Sequence, residues 1–141
     1  MIVETPPQPD ARKHGTPEAR LQAECWANAW NHFPETRKLY FAVLNENEQS
    51  KYETKQQQRI SGARRKSRGV VAGVSDSLLL LPRGQYHGAC FEFKTHKGVQ
   101  SDEQKEWQAL VEGAGYYYCI VRDKDDFIAK FSWYLSLQNK K

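Results

Sequence analysis

The chain has 141 residues, of which 39% are hydrophobic and 27% charged, as is typical of one globular domain and not of a disordered chain. No apolar stretch approaches the roughly 20 residues that a membrane span requires, and the N-terminus lacks the apolar core of a signal peptide. We therefore expect a soluble, cytoplasmic protein without a membrane partner. The net charge of +4 permits a polyanionic partner without requiring one.

Cysteine usage argues against a disulfide framework, because the number of cysteines is odd and no pair has CxxC spacing. Cys25, Cys90 and Cys119 are scattered along the chain. We expect each of them to lie in or near the core as a small hydrophobic residue.

The domain organisation follows from composition. Residues 1–15 are rich in proline and polar side chains and predict a flexible tail. A single domain is predicted over residues 16–137, and residues 138–141 form a short C-terminal tail.

The first helix begins with Thr16 as capping residue and Pro17 at the first helical position, and we expect it to run to about Asn31. Pro34 ends this region, and the apolar run over residues 39–44 predicts a strand. The aromatic residues at helical spacing predict a buried stripe on the helix. They are Trp26, Trp30 and Phe33.

The polar segment over residues 46–67 has helical propensity but little apolar stripe. Between Lys51 and Arg68 it is strongly basic, with Glu53 as the only acid. It is either an exposed helix with a solvated charged face or a segment that stays partly mobile until something anionic binds. If the partner is a nucleic acid, the candidate contacts are Arg59, Arg64, Arg65, Lys66 and Arg68.

Two strands follow, at residues 77–81 and from about Gly88 to Lys94, joined through the turn that begins at Pro82. The short turn predicts antiparallel pairing. Alternation along the second strand assigns Glu92 and Lys94 to one face, whereas aromatic residues occupy the other.

The remaining elements alternate between helix and strand. Ser101 opens a helix with Gln104 at the capping-box position, and Gly115 ends it. Residues 116–121 predict a strand, and Asp123 caps a closing helix with aromatic residues at helical spacing. This order predicts an α/β fold in which helices pack against a mixed sheet.

Asp76, Glu92 and Lys94 are the residues whose positions indicate chemistry. Antiparallel pairing can bring Asp76, before the first of the two strands, beside Glu92 and Lys94 on the second. Adjacent carboxylates repel, and a divalent cation relieves that repulsion. Mg²⁺ suits a site with few carboxylates, because it keeps waters and phosphate oxygens as ligands. The lysine could orient or deprotonate the attacking water, or stabilise charge on a phosphate. Alternatively, Glu92 and Lys94 are solvent-facing residues of a half-exposed strand, paired by charge.

The sequence resembles a known nuclease family in three stretches. These are Gly69-Val-Val-Ala-Gly-Val-Ser-Asp76, then Phe91-Glu-Phe-Lys94, then Ser101-Asp-Glu-Gln104 followed by Gly115. Together they resemble the VRR-NUC nucleases, a branch of the PD-(D/E)xK superfamily that includes the nuclease domain of Fanconi-associated nuclease and small phage and bacterial proteins. The resemblance covers about residues 17–121. It implies a restriction-endonuclease-like mixed sheet of about four strands flanked by helices.

The resemblance also implies roles for single residues. Asp76 and Glu92 would be ligands of Mg²⁺ or Mn²⁺, with the backbone carbonyl of Phe93 between the strand residues as a further ligand. Lys94 would be the catalytic lysine. A glutamate on the first helix and a glutamine near the metal are matched by Glu24 and Gln104, although Gln104 has the capping-box role as an alternative. One position departs from the family pattern: Ser75 stands where proline is usual.

Two functions remain open at this stage. The chain is either a metal-dependent DNA endonuclease, with branched or Holliday-junction DNA as a candidate substrate, or a catalytically silent nucleic-acid-binding or regulatory module with a nuclease fold. Because resolving a junction takes two symmetric cuts and one domain offers one site, we also expect a homodimer.

Overall fold

The computed structural model describes residues 15–44 and 54–139. Most of the first predicted tail, the start of the polar segment and residues 140–141 lie outside them. The elements, in chain order, are α1 (Pro17–His32), a 3₁₀ turn (Pro34–Thr36), β1 (Tyr40–Ala42), α2 (Lys55–Ser67), β2 (Ser77–Leu79), β3 (Ala89–Phe93), α3 (Asp102–Gly113), β4 (Tyr117–Val121) and α4 (Lys124–Ser136).

The strands form one mixed sheet in the order β1-β2-β3-β4. The first two pairings are antiparallel, and β3 pairs parallel with β4 across the α3 connection. Helices α1 and α4 pack against one face of the sheet, and α3 covers part of the other. The α/β fold with a four-stranded mixed sheet flanked by helices is therefore confirmed.

Side-chain caps fix where the helices begin. The Thr16 hydroxyl accepts the Ala19 backbone N–H at 3.1 Å, and the Asp123 carboxylate accepts the Asp126 N–H at 2.7 Å. Each cap satisfies a backbone donor that a helix N-terminus leaves without a partner. Because these signals are local, the sequence located both helix starts correctly.

An aromatic cluster forms the core between the sheet and the helices α1 and α4. Neighbouring rings in it lie 4.9 to 5.9 Å apart, in tilted and edge-on arrangements that aromatic pairs prefer. Burying one such side chain contributes about 2–3 kcal/mol. The four rings are those of Tyr40, Phe91, Phe127 and Phe131, which belong to a larger buried core.

All three cysteines are buried and free, as predicted.

The buried stripe predicted for α1 is wrong in detail. Cys25 and Ala29 are the fully buried residues of this helix, whereas Trp26 and Trp30 are half-buried. Small side chains let α1 approach its neighbours closely, and the two indoles pack on each other at the edge, with ring centroids 5.4 Å apart. The guanidinium of Arg37 lies 5.4 Å from the Trp30 ring, a cation–π distance.

Within residues 15–44 and 54–139, no helix is long and apolar enough to cross a membrane.

Candidate active site

Asp76 and Glu92 come together at one end of the β2–β3 pair. Ser77 pairs with Phe91, so the next step of the antiparallel register places Asp76 opposite Glu92. The backbone N–H of Phe93 donates to Oδ2 of Asp76 at 2.8 Å, which fixes the aspartate against β3. The proximity expected from the turn and the strand alternation is present.

Glu92 is buried, with 1% of its surface exposed, so the solvent-facing alternative is wrong for this residue. Its Oε1 accepts a hydrogen bond from Nε2 of Gln104 at 2.8 Å and lies 3.7 Å from Nζ of Lys94. Within the described residues, Oε2 is buried and has no hydrogen-bond partner. A buried carboxylate oxygen in this state is costly unless a cation or a proton reaches it.

Electrostatics favour the protonated form of this carboxyl when no cation is present. The pKa of Glu92 is raised to about 8, first by burial and then by the charge of Asp76, while Lys94 opposes the shift. The cause is therefore mainly desolvation, followed by repulsion between two carboxylates. A divalent cation held by the two carboxylates would oppose both effects and favour the ionised form.

Gln104 forms the capping box of α3 and also contacts Glu92. Its side-chain Oε1 accepts the Ser101 backbone N–H at 2.9 Å. Its backbone N–H donates to the Ser101 hydroxyl at 3.2 Å, which completes the capping box of α3. Because Oε1 is held by the cap, Nε2 points to Glu92. The cap thus sets the orientation of the amide that contacts the buried acid.

The turn after β3 supports Lys94. The Gly98 backbone lies so close to the lysine stem that a Cβ at position 98 would be 3.2 Å from it. Arg122, directly after β4, donates from Nη1 to the carbonyls of Thr95 and Gly98 at 2.9 and 2.8 Å. Arg122 was not predicted, and no local pattern marks it, because its partners are distant in sequence.

Helix α1 approaches the site with a face different from the one predicted. Nε2 of Gln22 donates to the Asp76 carbonyl at 3.2 Å, and the Thr95 hydroxyl donates to Oε1 of Glu18 at 3.2 Å. Glu24 is exposed and lies about 160° around the helix from Gln22. Among the described residues, no third His, Cys, Asp or Glu joins the two acids in a group able to hold a metal ion. The structure does not bring Glu24 to the site.

Ser75, the departure from the family pattern, is fully buried and makes a hydrogen bond that proline cannot make. Its hydroxyl donates to the Ser77 carbonyl at 3.1 Å, at the entry to β2. With serine at this position, Asp76 lies directly before β2 and opposite Glu92.

The basic residues predicted to bind nucleic acid lie on α2 and its C-terminal cap. Arg65 is partly buried and the other four are exposed. Arg68 forms the C-cap, where its N–H bonds the Arg65 carbonyl at 3.0 Å. These basic residues lie on the helix that precedes Asp76 in the chain, with residues 69–75 between its C-cap and Asp76.

The donor set fits a hard divalent cation. Two carboxylates and a backbone carbonyl, at Asp76, Glu92 and Phe93, are oxygen ligands of the kind that Mg²⁺ and Mn²⁺ prefer. The unpartnered Oε2 of Glu92 provides the specific reason to expect a cation here.

Comparison with known proteins agrees with this architecture. No family model and no curated protein matches the chain. A solved structure described as a "VRR_NUC domain protein" matches with a TM-score of 0.72 and 20% sequence identity, covering 89% of this chain and 93% of that one. The class that this likeness defines is one of fold, an α/β domain with a four-stranded mixed sheet. More particularly, it is the fold of a VRR-NUC domain, as the three sequence stretches implied.

Proposed function

We propose that the chain is a metal-dependent nuclease that hydrolyses DNA phosphodiester bonds. The observation that carries the proposal is the buried Glu92, whose Oε2 has no partner among the described residues and whose neighbour across the strands is Asp76. A buried acid beside a second, partly buried acid would be a liability in a purely structural protein. It is useful when a divalent cation has to be held against a phosphate.

In this proposal, Asp76, Glu92 and the Phe93 carbonyl hold Mg²⁺ or Mn²⁺. When bound, the cation supplies charge that stabilises the phosphate and activates the attacking water. Gln104 keeps the Glu92 carboxylate in one orientation through its 2.8 Å hydrogen bond. Lys94, supported by the turn that Arg122 clamps, contacts the scissile phosphate and offsets the charge that develops there.

The basic helix α2 supports DNA as the partner, because only residues 69–75 separate its C-cap from Asp76. Branched DNA is proposed as the preferred substrate. A homodimer with two-fold symmetry would supply the paired cuts that a four-way junction requires. The catalytically silent binding module is the competing function, and the experiment below separates the two.

The test is cleavage of labelled four-way junctions, flaps and plain duplex DNA in Mg²⁺ or Mn²⁺. Asp76→Ala is expected to lose cleavage by about 10²-fold or more, because it removes a ligand of the cation that would stabilise the developing charge. Asp125→Ala, an exposed acid in the first turn of α4, is the matched control and should cleave normally. If neither cation supports cleavage of any substrate, the nuclease proposal fails. If Asp76→Ala cleaves as well as the wild type, the assigned site is wrong.

A further inference from the structure

Helix α2 is organised unlike the other helices. It contains no acidic residue, and within the described part of the chain no other helix or strand packs extensively against it; like α3, it has no fully buried residue. A helix of this length is marginal in water without packing. Its order therefore depends on its caps and on whatever its surface meets.

The partly buried positions of α2 form one stripe with the i, i+3, i+4, i+7 spacing of a helix face. All of them are polar or small, so this inner face contributes little apolar burial. They are Gln58, Ser61, Gly62 and Arg65.

The opposite, outward face has a different composition. At about 100° per residue, Ile60, Ala63 and Ser67 fall within one narrow sector directly opposite the partly buried stripe. All three are exposed, and Ile60 has 47% of its surface accessible. This uncharged surface is about 10 Å long, at 1.5 Å per residue.

Basic residues border the uncharged sector on both sides. Arg59 and Lys66 lie within about 20° of each other on one border, and Arg64 lies on the other, about 140° from Arg59. All three are exposed. The outward half of α2 is therefore an uncharged ridge between two positive flanks, with no acid in the helix to oppose an anionic partner.

We propose that α2 inserts this ridge into the major groove of duplex DNA next to the cleavage site. The groove is about 12 Å wide and admits an α-helix, while phosphates line both of its edges. Arg59 and Lys66 then contact one strand's phosphates and Arg64 the other's, and Ile60 and Ala63 face the base edges. The proposal deepens the proposed nuclease function and rests on it for the choice of DNA as partner.

The position of α2 along the chain fits this arrangement. Only residues 69–75 separate the C-cap Arg68 from Asp76, a distance of at most about 27 Å for an extended segment. A helix seated in the groove would thus hold the same duplex within reach of the site.

The test measures binding by fluorescence anisotropy in EDTA, where cleavage cannot interfere. The first probe is a duplex whose cytosines carry glucosylated hydroxymethyl groups, which fill the major groove, compared with the unmodified duplex of the same sequence. The expected result is binding at least about tenfold weaker to the modified duplex, while filling the minor groove with netropsin leaves affinity unchanged. Equal affinity for the modified and unmodified duplexes would overturn the proposal.

The second measurement tests whether the basic residues on both borders of α2 contact phosphates, or those on one border only. Arg59→Gln and Arg64→Gln should each reduce the slope of log K against log salt by about 0.9, because each removes one phosphate contact, and the double variant by about twice that. Lys124→Gln, at the exposed start of α4, controls for lost charge and should leave the slope unchanged. If only one flank changes the slope, the helix lies on the surface of the DNA and not in its groove.

These outcomes are independent of catalysis. Wild-type cleavage that persists with a blocked major groove and unchanged affinity would remove the groove proposal and leave the nuclease proposal standing. Groove-dependent binding without cleavage in any divalent metal would support the groove proposal and remove the nuclease proposal.

Discussion

Glu92 carries the carboxyl whose ionisation is most strongly affected by the fold. Its pKa rises from an ordinary 4.5 to about 8, because of burial first and the neighbouring Asp76 second. A raised pKa in the folded state means that folding favours the protonated acid. The resulting stabilisation is fully present below about pH 4.5 and is lost as the pH rises through about 8.

The metal-free protein should therefore become less stable between about pH 5 and 8, by up to about 1.4 kcal/mol per pH unit. Urea unfolding in EDTA across this range measures the change. Glu92→Gln has no proton to lose and should flatten the profile, and saturating Mg²⁺ should restore the stability of the wild type at the alkaline end. A wild-type profile as flat as that of Glu92→Gln would show that the carboxyl is not perturbed as described.

Helix α1 carries two glutamates that are candidates for the site, Glu18 and Glu24, and only Glu18 lies near it. Glu18 accepts a hydrogen bond from Thr95, next to Lys94, whereas Glu24 is exposed on the far side of the helix. We expect Glu18→Ala to reduce cleavage by about tenfold or more, because outer-shell partners of metal sites typically contribute that much. Glu24→Ala serves as the matched control and should cleave like the wild type. A loss confined to Glu24→Ala would restore the role that the family resemblance implied.

The sequence allowed Asp76, Glu92 and Lys94 to be predicted because each depends on a local rule. Strand alternation assigned Glu92 and Lys94 to one face, and a short turn implied the pairing that brings Asp76 across. Arg122 follows no such rule, since it contacts carbonyls that lie 24 and 27 residues away in the chain. The orientation of α1 was equally hidden, because small residues face the core and the larger indoles lie at its edge.

At the scale of elements, helix starts were predictable from capping residues and strand ends were not. The first strand was expected over residues 39–44 but covers only Tyr40–Ala42. Among the described residues it is an edge strand that pairs with β2 alone, and one backbone hydrogen bond beyond each end, Val43 N–H to the Asp76 carbonyl and Leu80 N–H to the Leu39 carbonyl, completes the pairing. Leu44 is 90% exposed, so the apolar side chain at this position is not buried against any of the described residues.

The loop before β2 and the first turn of α3 are held in contact through Gly73. This glycine has a φ of +85°, and a Cβ there would collide with the Glu103 carbonyl and lie 2.9 Å from the Gln104 nitrogen. Gly73→Ala should cost about 1–3 kcal/mol in backbone strain alone. It should also move Gln104 away from Glu92 and so reduce cleavage in protein that is still folded. Urea unfolding and cleavage rates measure the two effects.

Gly62 provides the matched control for that substitution. It lies inside α2 with open space where a Cβ would stand. Gly62→Ala should therefore be neutral or stabilise the helix by up to about 1 kcal/mol, through better helical propensity. If both alanine variants behave alike, the contact between Gly73 and α3 does not hold the site in place.

At the scale of the whole molecule, none of the described helices covers one part of the sheet. Antiparallel pairing puts Leu39, Phe41 and Leu80 on the same face of β1 and β2, beyond the part that α3 covers. Their exposed fractions are 37%, 37% and 53%. An apolar cleft between α3 and the sheet continues this surface. A contiguous apolar patch of this kind often marks a protein interface.

We expect the proposed homodimer to use this face, since a stable interface needs roughly 1,200 Å² or more of buried surface and an apolar centre. Phe41→Glu and Leu80→Glu should each shift the protein towards the monomer mass of 16.3 kDa in size-exclusion chromatography with light scattering. Ala129→Glu, an exposed change on α4, should leave the dimer intact. Monomeric variants should still nick one strand of a junction but lose the paired, symmetric cuts, because each chain keeps its own Asp76 and Glu92. A monomeric wild type would contradict the dimer, whereas dimers that survive both glutamate substitutions would place the interface elsewhere.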